Sequence, residues 1–207
     1  MTIRVHHLQV SRSTRIIWLM EELGLPYELI QHTRDAVTFR SPPSLYAVHP
    51  LGKAPAVEID GRVMVESSAI IEYIVDQHGG GQLLPPASDR AEYLEWLHFA
   101  EGTLGMPILM RLLGPRLELG SMGLGFMDAE ITKQLDWIES QLAGKSFLCG
   151  ETFTGADINL EYLLEHAETL GQVASRPNLA RYLAALKVRP AYVKAIALGG
   201  PVVMPRG

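Results

Sequence analysis

The sequence holds a single cysteine, Cys149, among 207 residues. One thiol excludes an internal disulfide framework, a Cys-x-x-Cys redox pair and a cysteine-rich zinc site. Any thiol chemistry would use Cys149 or a thiol brought in from outside. Long apolar runs are missing too. The densest stretch, Ile16-Ile17-Trp18-Leu19-Met20, falls far short of the roughly 20 residues a spanning helix needs, so no membrane partner is expected. A basic excess is absent from both halves, and the formal net charge is −5. Without a positive footprint, nucleic acid is not an expected partner either. Met1-Thr2-Ile3-Arg4-Val5-His6-His7 reads as a strand rather than a signal peptide, so the expected location is cytoplasmic. What the chain does have is apolar residues, at 47%. That is enough to bury a core and argues against disorder, and the length suits one domain or two small ones.

The first 80 residues alternate strands and helices. Ile3 to Leu8 is a short β-like run. Ser11 to Ser13 then supply helix-capping residues, and Ile16, Ile17, Leu19, Met20 and Leu23 recur at helical spacing. Gly24 and Pro26 stop that helix. Tyr27 to Gln31 reads as a second strand, and a βαβ unit makes the two strands parallel. Residues 33–54 carry Ser41-Pro42-Pro43 and His49-Pro50-Leu51-Gly52 and are expected to be irregular. Two short strands, 56–59 and 62–65, flank Asp60-Gly61, which fits a type I′ hairpin. Glu66-Ser67-Ser68 starts another helix. Beyond Gly79-Gly80-Gly81 and Pro85-Pro86 the pattern is helical. It begins with one long segment, 89–113, that Gly102, Gly105 and Pro107 should bend.

Four motifs lie in order on this pattern. They are Ser11-Arg12-Ser13-Thr14-Arg15, His49-Pro50-Leu51-Gly52-Lys53-Ala54-Pro55, Glu66-Ser67-Ser68-Ala69-Ile70, and Gly150-Glu151-Thr152-Phe153-Thr154-Gly155-Ala156-Asp157-Ile158. Together they make nearly the whole chain resemble the cytosolic glutathione transferase superfamily. The first motif is similar to that of serine-type, bacterial-like members. His49 departs from the usual Asn, Glu151 from the usual Asp, and Gly155 from a larger residue.

The resemblance implies an α/β N-terminal thioredoxin-like domain (βαβ-ββα) over 1–80. An all-α C-terminal domain over 88–207 would contribute the electrophile site. It implies glutathione as co-substrate, no metal, a small hydrophobic electrophile as second substrate, and a homodimer. The activity implied is a detoxifying transfer of the glutathione thiolate to an electrophile. Three alternatives remain: a glutathione-dependent peroxidase, a disulfide-exchange enzyme, and a non-catalytic interaction module of the same fold.

The residues suit that chemistry. A glutathione thiol has an ordinary pKa of about 8.5, and its thiolate is the nucleophile. Lowering that pKa by about two units requires roughly 3 kcal/mol of anion stabilisation. Ser11, between the first strand and the first helix, offers a hydroxyl donor at a helix N-terminus. Ser11 and Ser13 also fit plain helix caps. The resemblance favours Ser11 as the thiolate donor, with Ser13 as the runner-up. Arg12 lies near the same end, and Arg15 is expected to be structural. By resemblance, Pro55 is a cis-proline that exposes the backbone of Ala54 to the cysteinyl part of glutathione, like an added strand. Glu66 and Ser67 match the ammonium and carboxylate of a γ-glutamyl group. Lys53, with His49 as a weaker candidate, matches the glycine carboxylate, although a solvated Lys53 competes with that reading.

Other residues read as structural. Thr154 and Asp157 form a capping box. His6 and His7 point to opposite faces of a strand, which suits no single metal. Cys149 lies in an apolar stretch. Met106 and Met110, nearest the expected bend, are candidates for the electrophile pocket. Trp96, Phe99 and Met122 share that apolar character.

Overall fold

The computed structural model describes residues 2–203. The chain divides into two units. One joins the first 82 residues to the segment from Lys187 onward, and the other spans Leu83–Leu186.

The first unit is built on a four-stranded sheet in the order β2-β1-β3-β4. β1 (Arg4–Leu8) and β2 (Glu28–His32) are parallel, as the βαβ pattern requires. The crossover is α1 (Ser13–Leu23), which ends at Gly24 in the left-handed conformation. β3 (Ala56–Ile59) runs antiparallel to β1 and pairs with β4 (Arg62–Val65). Asp60 and Gly61 both have positive φ, at 50° and 76°, as the type I′ hairpin demands. α3 (Ser67–His78) follows, burying Ile70, Ile71, Ile74 and Val75. This is the thioredoxin-like arrangement expected from the sequence.

One expectation is corrected. Residues 33–54 are not all irregular, because α2 (Pro43–Val48) lies within them. The prolines read as breakers in fact start this helix. Pro42 is its N-cap, and Pro43 occupies the first turn, where a missing N–H costs nothing. The final helix, which runs Pro190–Gly199, groups with the first unit. It packs on α1 through Trp18 and Tyr192, whose rings meet edge-on at 5.0 Å. Arg189 Nε and Nη2 clamp the Glu22 carboxylate at 2.6 and 2.8 Å, and Lys194 pairs with Glu21 at 2.7 Å.

The second unit is all-helical. α4 (Arg90–Phe99) passes through a π-helical stretch, Ala100–Leu104, into α5 (Gly105–Leu113). The expected bend is therefore a local widening of the helix just before Pro107, which has no N–H to continue the ladder. α6 (Ser121–Gln141), α7 (Gly155–Thr169) and α8 (Pro177–Lys187) complete it. The final helix is thus α9. α7 opens on the Thr154–Asp157 capping box. Asp157 is buried and accepts bonds from Thr154 N–H (2.7 Å) and hydroxyl (2.9 Å), Leu148 N–H (3.0 Å) and Tyr182 hydroxyl (2.7 Å). No helix among the described residues is long and apolar enough to cross a membrane.

Candidate active site

Sheet register brings three separate segments to one end of the first unit. Ala56 lies opposite both His6 on β1 and Val65 on β4. Because β3 is antiparallel to both, residues 54–55 sit beside the C-terminal end of β1. The chain leaves that same end of β1 towards Ser11, and leaves β4 there towards Glu66. A buried arginine ties the helices that follow. Arg15 on α1 donates from Nη1 to Ser67 Oγ at 2.9 Å. The structural role expected for Arg15 is to join α1 to the start of α3.

The serines do not cap α1 as plain N-caps. The helix starts at Ser13 after Arg12, whose side chain makes no capping bond. Ser11 and Ser13 are both buried and bonded to each other, with their Oγ atoms 2.7 Å apart. Ser11 Oγ also lies 2.6 Å from the Leu8 carbonyl oxygen and accepts the Ser13 N–H at 3.3 Å. Ser13 Oγ accepts the Leu8 N–H at 3.2 Å and lies 2.9 Å from His7 Nδ1. His7 in turn donates from Nε2 to the Gly199 carbonyl oxygen at 2.8 Å. Burial pushes the His7 pKa below its ordinary 6.5, against the opposing pull of that carbonyl. Its ring is therefore neutral. Arg12 is half-buried beside this cluster.

The Ala54–Pro55 bond is cis, as the resemblance implies. Gly52 before it has φ 56°, and a Cβ there would lie 2.5 Å from the Tyr46 ring, so only glycine fits. His49 closes α2, and its Nδ1 accepts the Leu51 N–H at 3.3 Å. Lys53 is exposed and Ala54 half-buried. Glu66 precedes α3 with φ 71°, a conformation sparsely populated by non-glycine residues, and its side chain is exposed. Ser67 is the first helical residue of α3 rather than its cap, and its hydroxyl accepts from Arg15.

The remaining candidates lie elsewhere. Met106 is 59% exposed on α5, and Met110, one turn on, is half-buried. Both belong to the helical unit. Cys149 is also there and buried, with its pKa pushed up to about 12 chiefly by burial and then by Asp157. A thiol so protonated is inert at neutral pH. Among the described residues, no group of three or more His, Cys, Asp or Glu side chains is placed to hold a metal ion.

Two residues near the serines escaped the sequence reading. One is His7 in its contact with Ser13. The other is Arg34, which donates to the carbonyls of Gln9 (3.0 Å), Val10 (2.9 Å) and Phe39 (3.1 Å) and so braces the turn before Ser11. Neither contact has a local sequence signal, since each joins residues brought together only by the fold.

A buried hydroxyl pair at a helix start, a cis-proline strand entry and an acidic residue with positive φ lie at one end of the sheet. Comparison with known proteins gives the family. Residues 5–82 match the model of the glutathione S-transferase N-terminal domain, and residues 124–185 that of the C-terminal domain. Glutathione S-transferase 3 of Schizosaccharomyces pombe is 34% identical, across 90% of this chain and 84% of that protein. A solved glutathione S-transferase from Actinobacillus pleuropneumoniae is also 34% identical. It has a TM-score of 0.86 and covers 95% of this chain and 92% of its own. A glutathione transferase from Burkholderia graminis, solved with two glutathione molecules per subunit, is 27% identical with a TM-score of 0.81. It covers 94% of this chain and 87% of its own. The chain belongs to the glutathione S-transferase family.

Proposed function

We propose that this protein is a glutathione transferase that binds glutathione in its first unit and adds the thiolate to small hydrophobic electrophiles. The observation that carries this reading is the convergence of Ser11, the cis Ala54–Pro55 bond and the Glu66–Ser67 start of α3 at one end of the sheet. In this reading Ser11 donates its hydroxyl to the sulfur. Ala54 pairs its backbone with the cysteinyl residue, and Pro55 holds that edge open. Glu66 takes the γ-glutamyl ammonium, while Ser67 offers its hydroxyl and N–H to the neighbouring carboxylate. Lys53 and His49 face the glycine carboxylate, and Arg12 and Ser13 line the sulfur end. Met106 and Met110 contribute apolar surface for the electrophile. The unusual φ of Glu66 supports its role, because backbone strain of this kind concentrates at ligand clamps. A cytosolic homodimer acting in detoxification completes the proposal and rests on the family resemblance.

The test is retention on immobilised glutathione together with conjugation of a chloronitroaromatic electrophile. Retention with turnover is the expected result. A protein that neither binds glutathione nor conjugates it would leave only the interaction-module reading. A second reading is disulfide exchange or peroxidase chemistry through bound glutathione. The Burkholderia graminis protein, solved with two glutathione molecules per subunit, favours it, because two glutathione thiols held side by side in this chain would be joined as a disulfide with a hydroperoxide as the oxidant. Hydroperoxide or disulfide turnover without conjugation would make it the better one.

A further inference from the structure

Hydrogen-bond direction in the serine cluster leads beyond the donor role of Ser11. A carbonyl oxygen only accepts, so the Gly199 contact at 2.8 Å places a hydrogen on His7 Nε2. In the neutral ring Nδ1 is then an acceptor. Ser13 Oγ, 2.9 Å away, donates to it in preference to its more distant acceptor, the Leu8 carbonyl oxygen at 3.3 Å. That commits the single hydroxyl hydrogen of Ser13. Ser13 Oγ can only accept from Ser11, 2.7 Å away. Ser11 has a second acceptor, the Leu8 carbonyl oxygen at 2.6 Å, and rotation about its C–O bond moves the hydrogen between the two. All three side chains are buried. The result is an unbroken chain, Ser11 to Ser13 to His7, anchored on Gly199, in which His7 is the one group able to take up a proton.

We propose that His7 receives the proton of the glutathione thiol through Ser13 and Ser11. This rests on Ser11 meeting the sulfur, as proposed above. Before transfer every hydrogen in the chain points away from the sulfur: S–H to Ser11 Oγ, Ser11 to Ser13 Oγ, Ser13 to His7 Nδ1. In the transfer the S–H bond breaks and a new O–H bond forms on Ser11. Ser11 passes its own hydrogen to Ser13, and Ser13 passes its hydrogen to His7 Nδ1. The products are a thiolate, two intact hydroxyls and an imidazolium, with no proton gained or lost. Every donor now points towards the sulfur, so the same chain that removes the proton stabilises the anion.

The surroundings of His7 suit both states. In the resting protein its burial keeps Nδ1 free to accept. Once charged, the imidazolium still donates to Gly199, at the C-terminus of α9, where the helix dipole favours a cation. Ile17 from α1 and Gly199 from α9 wall the ring closely enough that a Cβ at Gly199 would sit 2.9 Å from Ile17 Cδ1 and 3.0 Å from His7 Cε1. Gln31 is its strand partner on β2. Burial works against the charged ring, and His32, also on β2, is the other ionisable group acting on it in the same direction. The thiolate formed at the other end of the chain offsets that cost. His7 and Ser13 are thus positioning residues that act through Ser11. The relay also gives a reason for α9 to belong to the first unit: its last carbonyl fixes the tautomer that makes the chain work.

The experiment counts protons against thiolate. Glutathione is titrated into the intact protein, and the thiolate is followed by its ultraviolet absorbance. Protons released to bulk are obtained from calorimetry in buffers of different ionisation enthalpy. The wild type should form thiolate while releasing clearly less than one proton for each. His7→Gln keeps an amide donor for Gly199 but has no basic nitrogen to take up a proton, and Ser13→Ala cuts the chain while leaving the Ser11 hydroxyl its Leu8 acceptor. Both should release one proton per thiolate and raise the bound thiol pKa by about one unit, roughly a tenfold loss of thiolate at pH values below it. Should one variant fail to fold, the other and the wild-type count still decide. One proton per thiolate in the wild type would overturn the relay while leaving thiolate activation intact, as would an unshifted thiol pKa in the variants. Glutathione that binds without forming thiolate, or fails to bind, would instead overturn the reading of Ser11 on which the relay rests.

Discussion

His6 and His7 are neighbours in β1 and face opposite sides of one sheet. On the His7 side the ring meets two hydroxyls and the end of α9, and the chain of bonds leads to the proposed sulfur site. On the His6 side, Nε2 donates to Glu58 at 2.9 Å, and Nδ1 lies 3.0 Å from His32 Nε2. His32 Nδ1 then lies 2.9 Å from Ser44 on α2. That second chain also runs from a hydroxyl through imidazole, but it ends on a carboxylate held on the surface by Arg4 and reaches no part of the site. Identical side chains thus serve anchoring on one face and chemistry on the other. The chains differ in make-up and in their ends: two serines at a helix start and one imidazole on the Gly199 carbonyl in one, a serine fastening α2 and two imidazoles on Glu58 in the other.

Substitutions should separate the faces. Ser11→Ala is expected to lower conjugation by about 100-fold, the usual loss for one donor to a developing anion, with glutathione affinity little changed. Steady-state rates beside binding measurements check this, and a loss seen for Ser13→Ala but not for Ser11→Ala would reassign the donor. On the same side, Glu66→Ala and Ser67→Ala should each weaken glutathione binding about tenfold, in line with lost hydrogen bonds to charged groups. Unchanged binding in both would remove the anchor. On the opposite face, His32→Phe leaves His6 and Ser44 without their shared partner. It should cost about 1–3 kcal/mol of stability while the turnover of the folded protein stays near wild type. A large loss of turnover in that variant would erase the contrast between the faces.

Both faces share one pH response. Burial lowers the pKa of His7 and of His32 from the ordinary 6.5. The unfolded chain therefore binds more protons than the folded one once pH drops below about 6.5. The stability these rings contribute is fully present above that value and is lost as pH falls towards their folded values. Melting temperature measured between pH 8 and about 5 should decline on the acid side, and the decline should flatten in a His7→Gln, His32→Phe double variant. Away from both faces, Thr154→Ala should cost about 1 kcal/mol through the lost cap and leave thiolate formation alone. The smallest effect is expected at Cys149: buried and protonated to about pH 12, it should resist alkylation in the native protein, with activity unchanged.

Much of this molecule is legible before folding. The parallel β1–β2 pair, the Asp60-Gly61 hairpin, the stop at Gly24, the Thr154–Asp157 box and the cis-proline motif all rest on residues close together in the chain. Alternation alone places His6 and His7 on opposite faces. What is not legible has a common cause as well. Pro42 and Pro43 break structure when read locally, yet start α2 once Leu45 is buried beneath them. α9 has the composition of one more C-terminal helix, and its contacts with Glu21, Glu22 and Trp18 on α1, His7 on β1 and Gln31 on β2 group it with the first unit.

The sequence by itself determined the family, the element order and the set of residues able to handle a thiol, because motifs, turns and periodicity are short-range properties. Tertiary structure decided what those residues do to one another. Cap or donor, free or committed hydrogen, neutral or charged imidazole: each depends on the neighbours and the burial that the fold supplies. The clearest case is the Gly199 carbonyl, which meets His7 across nearly the full length of the chain. A hydrogen-bond direction is a property of three-dimensional neighbours, and spacing in sequence does not encode it.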